Sequence, residues 1–361
     1  MDNLKKPKKY QREAIDDLVY KSKKLLGKQS KNRIIVFQSP TGSGKTFMAS
    51  NYISELIKEL PEKDLCFVWL SIGKGNLHIQ SYDSLKKEFN GFPDCHLLEE
   101  EFFGSRDIIE QNEVVVVNWE KIRAKDKEGT WSNTLMKDKE GINFRTLLKN
   151  TQNEGRIIVM IVDESHSGSV SERAMEIREE IILPNLTIEM SATPLKREDN
   201  EFNEKVGVDP TEVIEQGMIK KEIIINENFD KISQEEDTSQ EFIMETAFKK
   251  RKELKSEYEK EGINVNPLVL IQLPDSEAGQ DKREFVETFL AQKGITLENK
   301  KLAVWLSEDK VNQEKEIVTP IDSQIDFLIF KRAIDTGWDC PRAQILVRFR
   351  EIKSISFEIQ T

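Results

Sequence analysis

The feature that most constrains the fold is a glycine-rich loop between a strand-like run and a helix-like run. Ile34–Phe37 is a continuous run of β-branched and aromatic residues, which favours a buried strand, and the chain from Thr46 onward has a helical pattern. The loop between them runs Ser39-Pro-Thr-Gly-Ser-Gly-Lys-Thr46. Glycines let such a loop curl so that backbone N–H groups and a helix N-terminus point at one anion. The order strand, loop, helix therefore predicts an α/β fold with a phosphate-binding loop.

The residue types of the loop indicate a nucleoside triphosphate bound with a metal ion, and we expect ATP and Mg²⁺. Lys45 would reach the β- and γ-phosphates, and the Thr46 hydroxyl would hold Mg²⁺. The predicted phosphate-binding residues are Thr41, Gly42, Ser43, Gly44, Lys45 and Thr46. Ser39 stands where the generic loop pattern has glycine. The alternative, a glycine-rich turn with an incidental lysine, is disfavoured by the strand and helix on either side.

A second acidic element follows another strand-like run. Ile157–Val162 is apolar throughout and leads directly into Asp163-Glu164-Ser165-His166. Asp163 at the strand tip would hold Mg²⁺ from the side opposite Thr46, and Glu164 would orient the attacking water and accept its proton. An Asp-Glu pair after a strand is usually surface charge. Combined with a phosphate loop in the same chain, it predicts phosphoryl-transfer chemistry.

The length of 361 residues exceeds one typical core and predicts two α/β domains. Strand-like runs recur up to about residue 225, after which the sequence becomes heavily charged. Thr238–Glu241 has capping-box spacing and would begin a long helix that ends at Gly262. Strand-like runs resume at Pro267. The predicted domains are residues 1–225, a charged helical connector over residues 226–262, and a shorter domain over residues 263–361.

The composition excludes several classes of protein. No stretch approaches the roughly 18 apolar residues of a membrane span, and the N-terminus has no apolar signal region, so we expect a cytoplasmic protein without membrane contact. The three cysteines lack the spacing of a zinc site or a disulfide scaffold. A net charge of −11 does not exclude nucleic-acid binding, because the sign that matters is local to a groove.

Taken together, the motifs resemble those of superfamily 2 helicases. The Asp163–His166 box followed by Ser191-Ala-Thr193-Pro resembles motifs II and III of that superfamily. The resemblance implies an α/β protein of two RecA-like domains with mainly parallel sheets. It also implies a set of roles: Lys45, Asp163, Glu164 and His166 are catalytic, and Ser191 and Thr193 couple the nucleotide site to the nucleic-acid site. Tyr10-Gln11 resembles the adenine-reading element with Gln11 facing the base, although a surface glutamine fits the sequence equally well.

A finer resemblance is to the Res subunit of type III restriction enzymes, and it covers nearly the whole chain. The matching segments, in the expected order, are residues 68–81, 117–122, 213–222, 267–272, 337–341 and 349–354. The resemblance implies an ATP-dependent DNA helicase or translocase, favouring double-stranded DNA, that acts in defence against foreign DNA. It also implies a methyltransferase-specificity subunit as partner. A repair or recombination helicase, an ATP-gated DNA-binding module without hydrolysis and an RNA target remain alternatives.

The same resemblance supplies candidate contacts in both domains. Gly337 and Asp339, in the motif V-like segment, are assigned to the nucleotide. The residues assigned to DNA by motif position are Lys74, Gln80, Asn118, Trp119 and Lys331. Such contacts go mostly to phosphates and carry little sequence information. Trp119 fits a core position as well as base stacking, and Lys331 stands where many relatives have threonine.

The family pattern continues beyond motif V into motif VI, whose arginines reach the γ-phosphate. The sequence ends at Thr361, about where that element begins, so we expect the second domain to be incomplete. An arginine of this kind contributes on the order of 10³–10⁵ in rate. The chain would then be a fragment of a longer motor, a protein whose partner supplies the arginines, or a decayed motor. In each case we expect MgATP binding with slow hydrolysis and little stimulation by DNA.

Overall fold

Short runs of β-branched and aromatic residues form parallel strands in the computed structural model of the chain. The structure describes residues 6–28, 33–71, 77–98, 106–118, 144–163, 178, 182–194, 203–220, 236–274, 278–306, 315–331, 338 and 340–349. The chain divides into two units, Met1–Ile223 and Ile224–Thr361. Among the described residues, no helix has the length and apolar character that crossing a membrane requires.

The first unit is built on a seven-stranded sheet. Its strands are β1 (Ile34–Gln38), β2 (Leu65–Ser71), β3 (Cys95–Leu97), β4 (Val114–Asn118), β5 (Ile157–Asp163), β6 (Leu186–Ser191) and β7 (Asn203–Gly207). Their order across the sheet is β3-β4-β2-β5-β6-β1-β7, and every neighbouring pair is parallel. Because all strands run the same way, their carboxyl ends lie along one edge of the sheet, where parallel α/β folds place their sites.

Helices cover both faces of this sheet. They are α1 (Lys9–Leu26), α2 (Lys45–Glu59), α3 (Leu77–Phe89), α4 (Phe144–Asn153) and α5 (Pro210–Glu215). Side chains alternate along each strand. Phe67 and Trp69 of β2 join the core that packs α1, α2 and α3, whereas Cys66 and Val68 join the core that packs α4. This alternation explains why the strands are apolar throughout rather than at every second residue.

The second unit contains a four-stranded parallel sheet. Its strands are β8 (Leu268–Gln272), β9 (Leu302–Trp305), β10 (Phe327–Phe330) and β11 (Ala343–Arg348), in the order β11-β8-β10-β9. Its helices are α6 (Glu236–Lys260), α7 (Ala278–Gln292) and α8 (Lys315–Val318). All three strand pairs are parallel. The two parallel sheets confirm the predicted α/β fold.

The charged segment expected as a separate connector contributes to the core of the second unit. Its helix, α6, begins at Glu236, so Thr238 lies inside the first turn. Met244 and Ala247 are buried against the sheet, and the Arg251 side chain donates to the Pro267 carbonyl at 3.0 Å. These inward positions are three or four residues apart, which places them on one helix face. This buried stripe of α6 is too narrow to be recognised in a sequence that is otherwise rich in lysine and glutamate.

Candidate nucleotide-binding site

The loop between β1 and α2 has a backbone that suits glycine at two positions. Gly42 has φ +83° and Gly44 has φ +87°, both in the left-handed region. A Cβ on Gly44 would lie 2.8 Å from Nε2 of Gln11, and a Cβ on Gly42 would lie 3.0 Å from Cγ2 of Ile219. Gly44 is also the N-cap of α2. The positive end of a helix dipole therefore lies at the loop, where it favours a bound anion.

Hydrogen bonds inside the loop account for the serine at position 39. The Ser43 hydroxyl donates to the Pro40 carbonyl at 2.6 Å, and the Ser43 N–H donates to the same oxygen at 3.2 Å. The Ser39 and Ser43 hydroxyl oxygens are 2.6 Å apart, and Ser39 is fully buried. With Ser43 donating to Pro40, the Ser39 hydroxyl donates to Ser43. Serine in place of the usual glycine thus adds a hydrogen bond that closes the turn.

The start of α1 holds the loop from outside. The Ser43 carbonyl accepts hydrogen bonds from the Tyr10 hydroxyl at 2.7 Å and from Nε2 of Gln11 at 2.9 Å. Oε1 of Gln11 accepts the Lys8 N–H at 2.9 Å. Burial raises the pKa of Tyr10, so its hydroxyl keeps the proton that it donates. Gln11 is 4% exposed, which rules out a surface glutamine. Tyr10 was not among the predicted site residues; its place next to Gln11 was the available signal.

The predicted phosphate-binding residues occupy this one turn. Nζ of Lys45 donates to the Ser39 carbonyl at 3.4 Å, which keeps the ammonium group at the loop, and Lys45 is 9% exposed. Thr41 and Gly42 are exposed, and Thr46 is half-buried in the first turn of α2. An anion could approach the loop through these exposed positions, with the lysine beside it.

The loop contacts the turn that follows β6. The Ser39 N–H donates to the Ser191 carbonyl at 3.1 Å, and the Ser191 hydroxyl accepts the Thr193 N–H at 3.0 Å. Gln38 reaches the same turn, donating from Nε2 to the Ala192 carbonyl at 3.4 Å. Ser191 and Thr193, the predicted coupling residues, are therefore joined to the phosphate loop by a direct hydrogen bond and one further step.

Asp163 ends β5 at the same edge of the sheet. β6 lies between β5 and β1, and the register pairs Val162 with Glu189 and Phe37 with Met190. Asp163 is therefore level with the end of β1. Two strand spacings separate it from β1, or about 9–10 Å. From this position the Asp163 carboxylate would be available to hold a magnesium ion bound with phosphates at the loop.

The remaining predicted residues are only partly described. Glu164, His166, Lys74, Trp119, Gly337 and Asp339 lie outside the described residues. Gln80 is exposed near the start of α3. Asn118 ends β4, and its Nδ2 lies 3.3 Å from Nδ1 of His78, a contact that no sequence motif predicts. In the second unit Lys331 follows β10 and is half-buried, and its carbonyl accepts from Gln272 at 3.4 Å.

A second group of candidate metal ligands lies elsewhere in the first unit. Carboxylate and imidazole atoms of Asp94, His96 and Glu113 lie within 4.8 Å of one another. Glu113, however, forms an ion pair with Arg106 and accepts the Glu110 N–H at 2.8 Å. Its charge is thus already compensated within the protein, and the group is accounted for as an ion-pair network around the buried Glu113.

Comparisons with known proteins find one matching family and structures of similar fold. A model of the family "Type III restriction enzyme, res subunit" matches residues 4–196. A fragment of a putative HsdR subunit of a type I restriction enzyme from Vibrio vulnificus YJ016 is 18% identical, with a TM-score of 0.54, over 98% of this chain and 59% of that one. The Hef helicase domain of Pyrococcus furiosus is 13% identical, with a TM-score of 0.50, over 98% and 91%.

These two structural likenesses are of fold, and they confirm the predicted α/β architecture with the parallel sheets of RecA-like helicase domains. The chain spans about three fifths of the length of the HsdR fragment. No curated protein matches the chain.

Replacing Gly44 by alanine tests whether the loop conformation is what binds the nucleotide. Alanine at φ +87° is strained, and its Cβ would press on Gln11, so we expect ATP affinity to fall at least about tenfold. Gly91→Ala is the matched control, because Gly91 has φ +99° with nothing within 4 Å of the added carbon. The control should lose about 1–2 kcal/mol of stability and keep its ATP affinity. Equal affinity of Gly44→Ala and the parent, measured by calorimetry, would contradict the assignment.

Proposed function

The chain belongs to the res subunit family of type III restriction enzymes, within superfamily 2 of the helicases, and on that basis we propose that it is an ATP-dependent motor that moves along DNA. The membership confirms the resemblance drawn from the motifs. The observation that carries the proposal is the phosphate loop itself. It is held on one side by Tyr10 and Gln11, bonded on the other to Ser191, and shares its sheet edge with Asp163.

The residues of this edge fit MgATP. Lys45 would compensate charge on the β- and γ-phosphates, and Gly42 and Gly44 let the loop lie against Ile219 and Gln11, where an added Cβ would be crowded. The Thr46 hydroxyl and the Asp163 carboxylate are oxygen donors of the kind that Mg²⁺ prefers. Magnesium supplies neutralisation of the phosphate charge when bound. Glu164, next in sequence, would orient the attacking water and accept its proton.

The bond from the Ser39 N–H to the Ser191 carbonyl offers a route from nucleotide to nucleic acid. A loop that closes on phosphates would shift the start of the turn that contains Thr193. His166, the last residue of the Asp163–His166 box, would take part in the same coupling between nucleotide and nucleic acid. Repeated closing and opening of this kind drives domain movement in motors. By motif position, Gly337 and Asp339 are also assigned to nucleotide binding.

In each unit, DNA would contact the carboxyl edge of the sheet. Asn118 ends β4 at that edge of the first unit, and exposed Gln80 lies in the first turn of α3. In the second unit, Lys331 directly follows β10. Lys74 and Trp119 would join the first set by motif position. We propose double-stranded DNA as the track, and a methyltransferase-specificity subunit as the partner in restriction. The alternatives are a repair or recombination helicase and an ATP-gated DNA-binding module.

The link between nucleotide and DNA can be tested with Lys45→Ala. We expect MgATP to change the affinity of the parent chain for double-stranded DNA, measured by fluorescence anisotropy, and Lys45→Ala to abolish both MgATP binding and that change. Lys58→Ala is the control, because Lys58 lies on the same helix with an exposed side chain. MgATP binding by Lys45→Ala equal to that of the parent would refute the phosphate-site assignment.

Steady-state ATPase measured on the same proteins separates the alternatives. Turnover that depends on Lys45 supports the motor. An ATP-dependent change in DNA affinity without turnover supports the binding module. Single-stranded DNA and RNA, compared with duplex DNA in the same assay, distinguish the proposed track from the alternatives.

Lys331→Ala tests whether the carboxyl edge of the second sheet contacts DNA phosphates. Loss of one phosphate contact should weaken binding to all sequences alike and lower the slope of log affinity against log salt by about 1. Lys301→Ala is the control, because Lys301 immediately precedes β9 at the opposite edge of the same sheet. An effect of Lys301→Ala as large as that of Lys331→Ala would show that the loss is one of net charge alone.

A further inference from the structure

The turn that follows α5 lies against the phosphate loop. Cγ2 of Ile219 lies 3.0 Å, and the Met218 carbonyl 3.8 Å, from the point where Gly42 would carry a Cβ. Nζ of Lys8, in the residue before α1, donates to the Gln216 carbonyl at 2.9 Å. The start of α1, the phosphate loop and the turn over residues 216–219 therefore meet at one place on the first unit.

The turn is well fixed by its own hydrogen bonds. Gly217 has φ +67°, its N–H donates to the Ile214 carbonyl at 2.9 Å, and the Met218 N–H donates to the Val213 carbonyl at 3.1 Å. This pairing is that of a glycine-ended helix terminus. Val213 is fully buried, so the turn rests on the core of the unit. The backbone at Met218 is therefore fixed by the hydrogen bonds of the turn.

The two apolar residues of the turn differ in exposure. Ile219 is half-buried and packs against the core that includes α1 and α2. Met218 is 36% exposed, next to a loop whose Thr41 and Gly42 are also exposed. An exposed, polarisable thioether beside a phosphate site is suited to contact an aromatic ring, since sulfur–aromatic contacts are favourable and methionine adapts its shape.

Polar groups suited to the edge of a base lie on the neighbouring segment. The Gln11 amide nitrogen uses one of its two hydrogens on the Ser43 carbonyl, and Lys8, the residue before α1, donates to the turn. Small-molecule sites combine an apolar surface with a few fixed polar groups. Met218 and Ile219 would supply the apolar surface, and Gln11 would supply a fixed polar group. Both lie beside the loop that would hold the phosphates.

We propose that Met218, supported by Ile219, is the apolar platform against which the purine base of the bound nucleotide packs. The proposal rests on the proposed function, because it requires a nucleotide at the phosphate loop. It assigns to the turn over residues 216–219 a share of the affinity that depends on the base, separate from the affinity that depends on the triphosphate.

The test compares ATP with inorganic tripolyphosphate, which has no base. Binding of each with Mg²⁺ is measured by competition against a fluorescent ATP analogue on the full chain and on Met218→Ala. Loss of apolar contact should weaken ATP about three- to tenfold and leave tripolyphosphate within about twofold of the parent. Met218→Phe, which offers a flat apolar surface instead, should retain ATP affinity. Ile321→Ala, a similarly exposed aliphatic residue of the second unit, is the control.

The outcomes separate this proposal from the one on which it rests. Unchanged ATP affinity in Met218→Ala, or an equal loss for ATP and tripolyphosphate, would overturn the platform, since the residue would then be silent or act through the phosphate loop. Lys45→Ala should weaken both ligands. If it weakens neither, the phosphate site itself is wrongly assigned, whatever Met218→Ala does.

Discussion

Parallel pairing of β1, β6 and β5 is the constraint on which the account depends. It brings the phosphate loop, the Ser191 turn and Asp163 to one edge of one sheet, although more than 100 residues separate the loop from Asp163 along the chain. Each of these elements alone has an ordinary structural explanation. Only their placement side by side would make a lysine, a hydroxyl and a carboxylate available to one triphosphate.

The phosphate loop is held by contacts from three directions. These contacts fix its conformation, and each of them could transmit a conformational change of the loop to a neighbouring element. Tyr10 and Gln11 of α1 share the Ser43 carbonyl, Ser191 accepts the Ser39 N–H, and Ile219 lies against one side of Gly42. A nucleotide that altered the loop would disturb all three contacts. The site is thus connected by hydrogen bonds and packing to the helix, strand and turn that surround it.

The fold and the loop could be predicted because their signals are local. The apolar, β-branched runs Ile34–Phe37 and Ile157–Val162 indicate buried strands by themselves. The glycine pattern of the loop likewise indicates positive φ at Gly42 and Gly44. The burial of Gln11 and the contacts of Tyr10 and Ile219 could not be predicted from the sequence, because each depends on a contact between segments far apart in sequence. The buried face of α6 was not predicted for another reason. A few apolar residues in a charged helix give almost no periodic signal in the sequence.

The most direct test of the shared site is a double-mutant cycle on the Mg²⁺ dependence of ATP binding, with Thr46→Ala, Asp163→Asn and both together. If both groups serve one magnesium ion, each single change removes most of the metal-dependent affinity and the second adds little, a coupling of about 0.5–3 kcal/mol. Strictly additive losses would mean that Thr46 and Asp163 act independently, and would contradict the convergence of the loop and the carboxylate on one nucleotide.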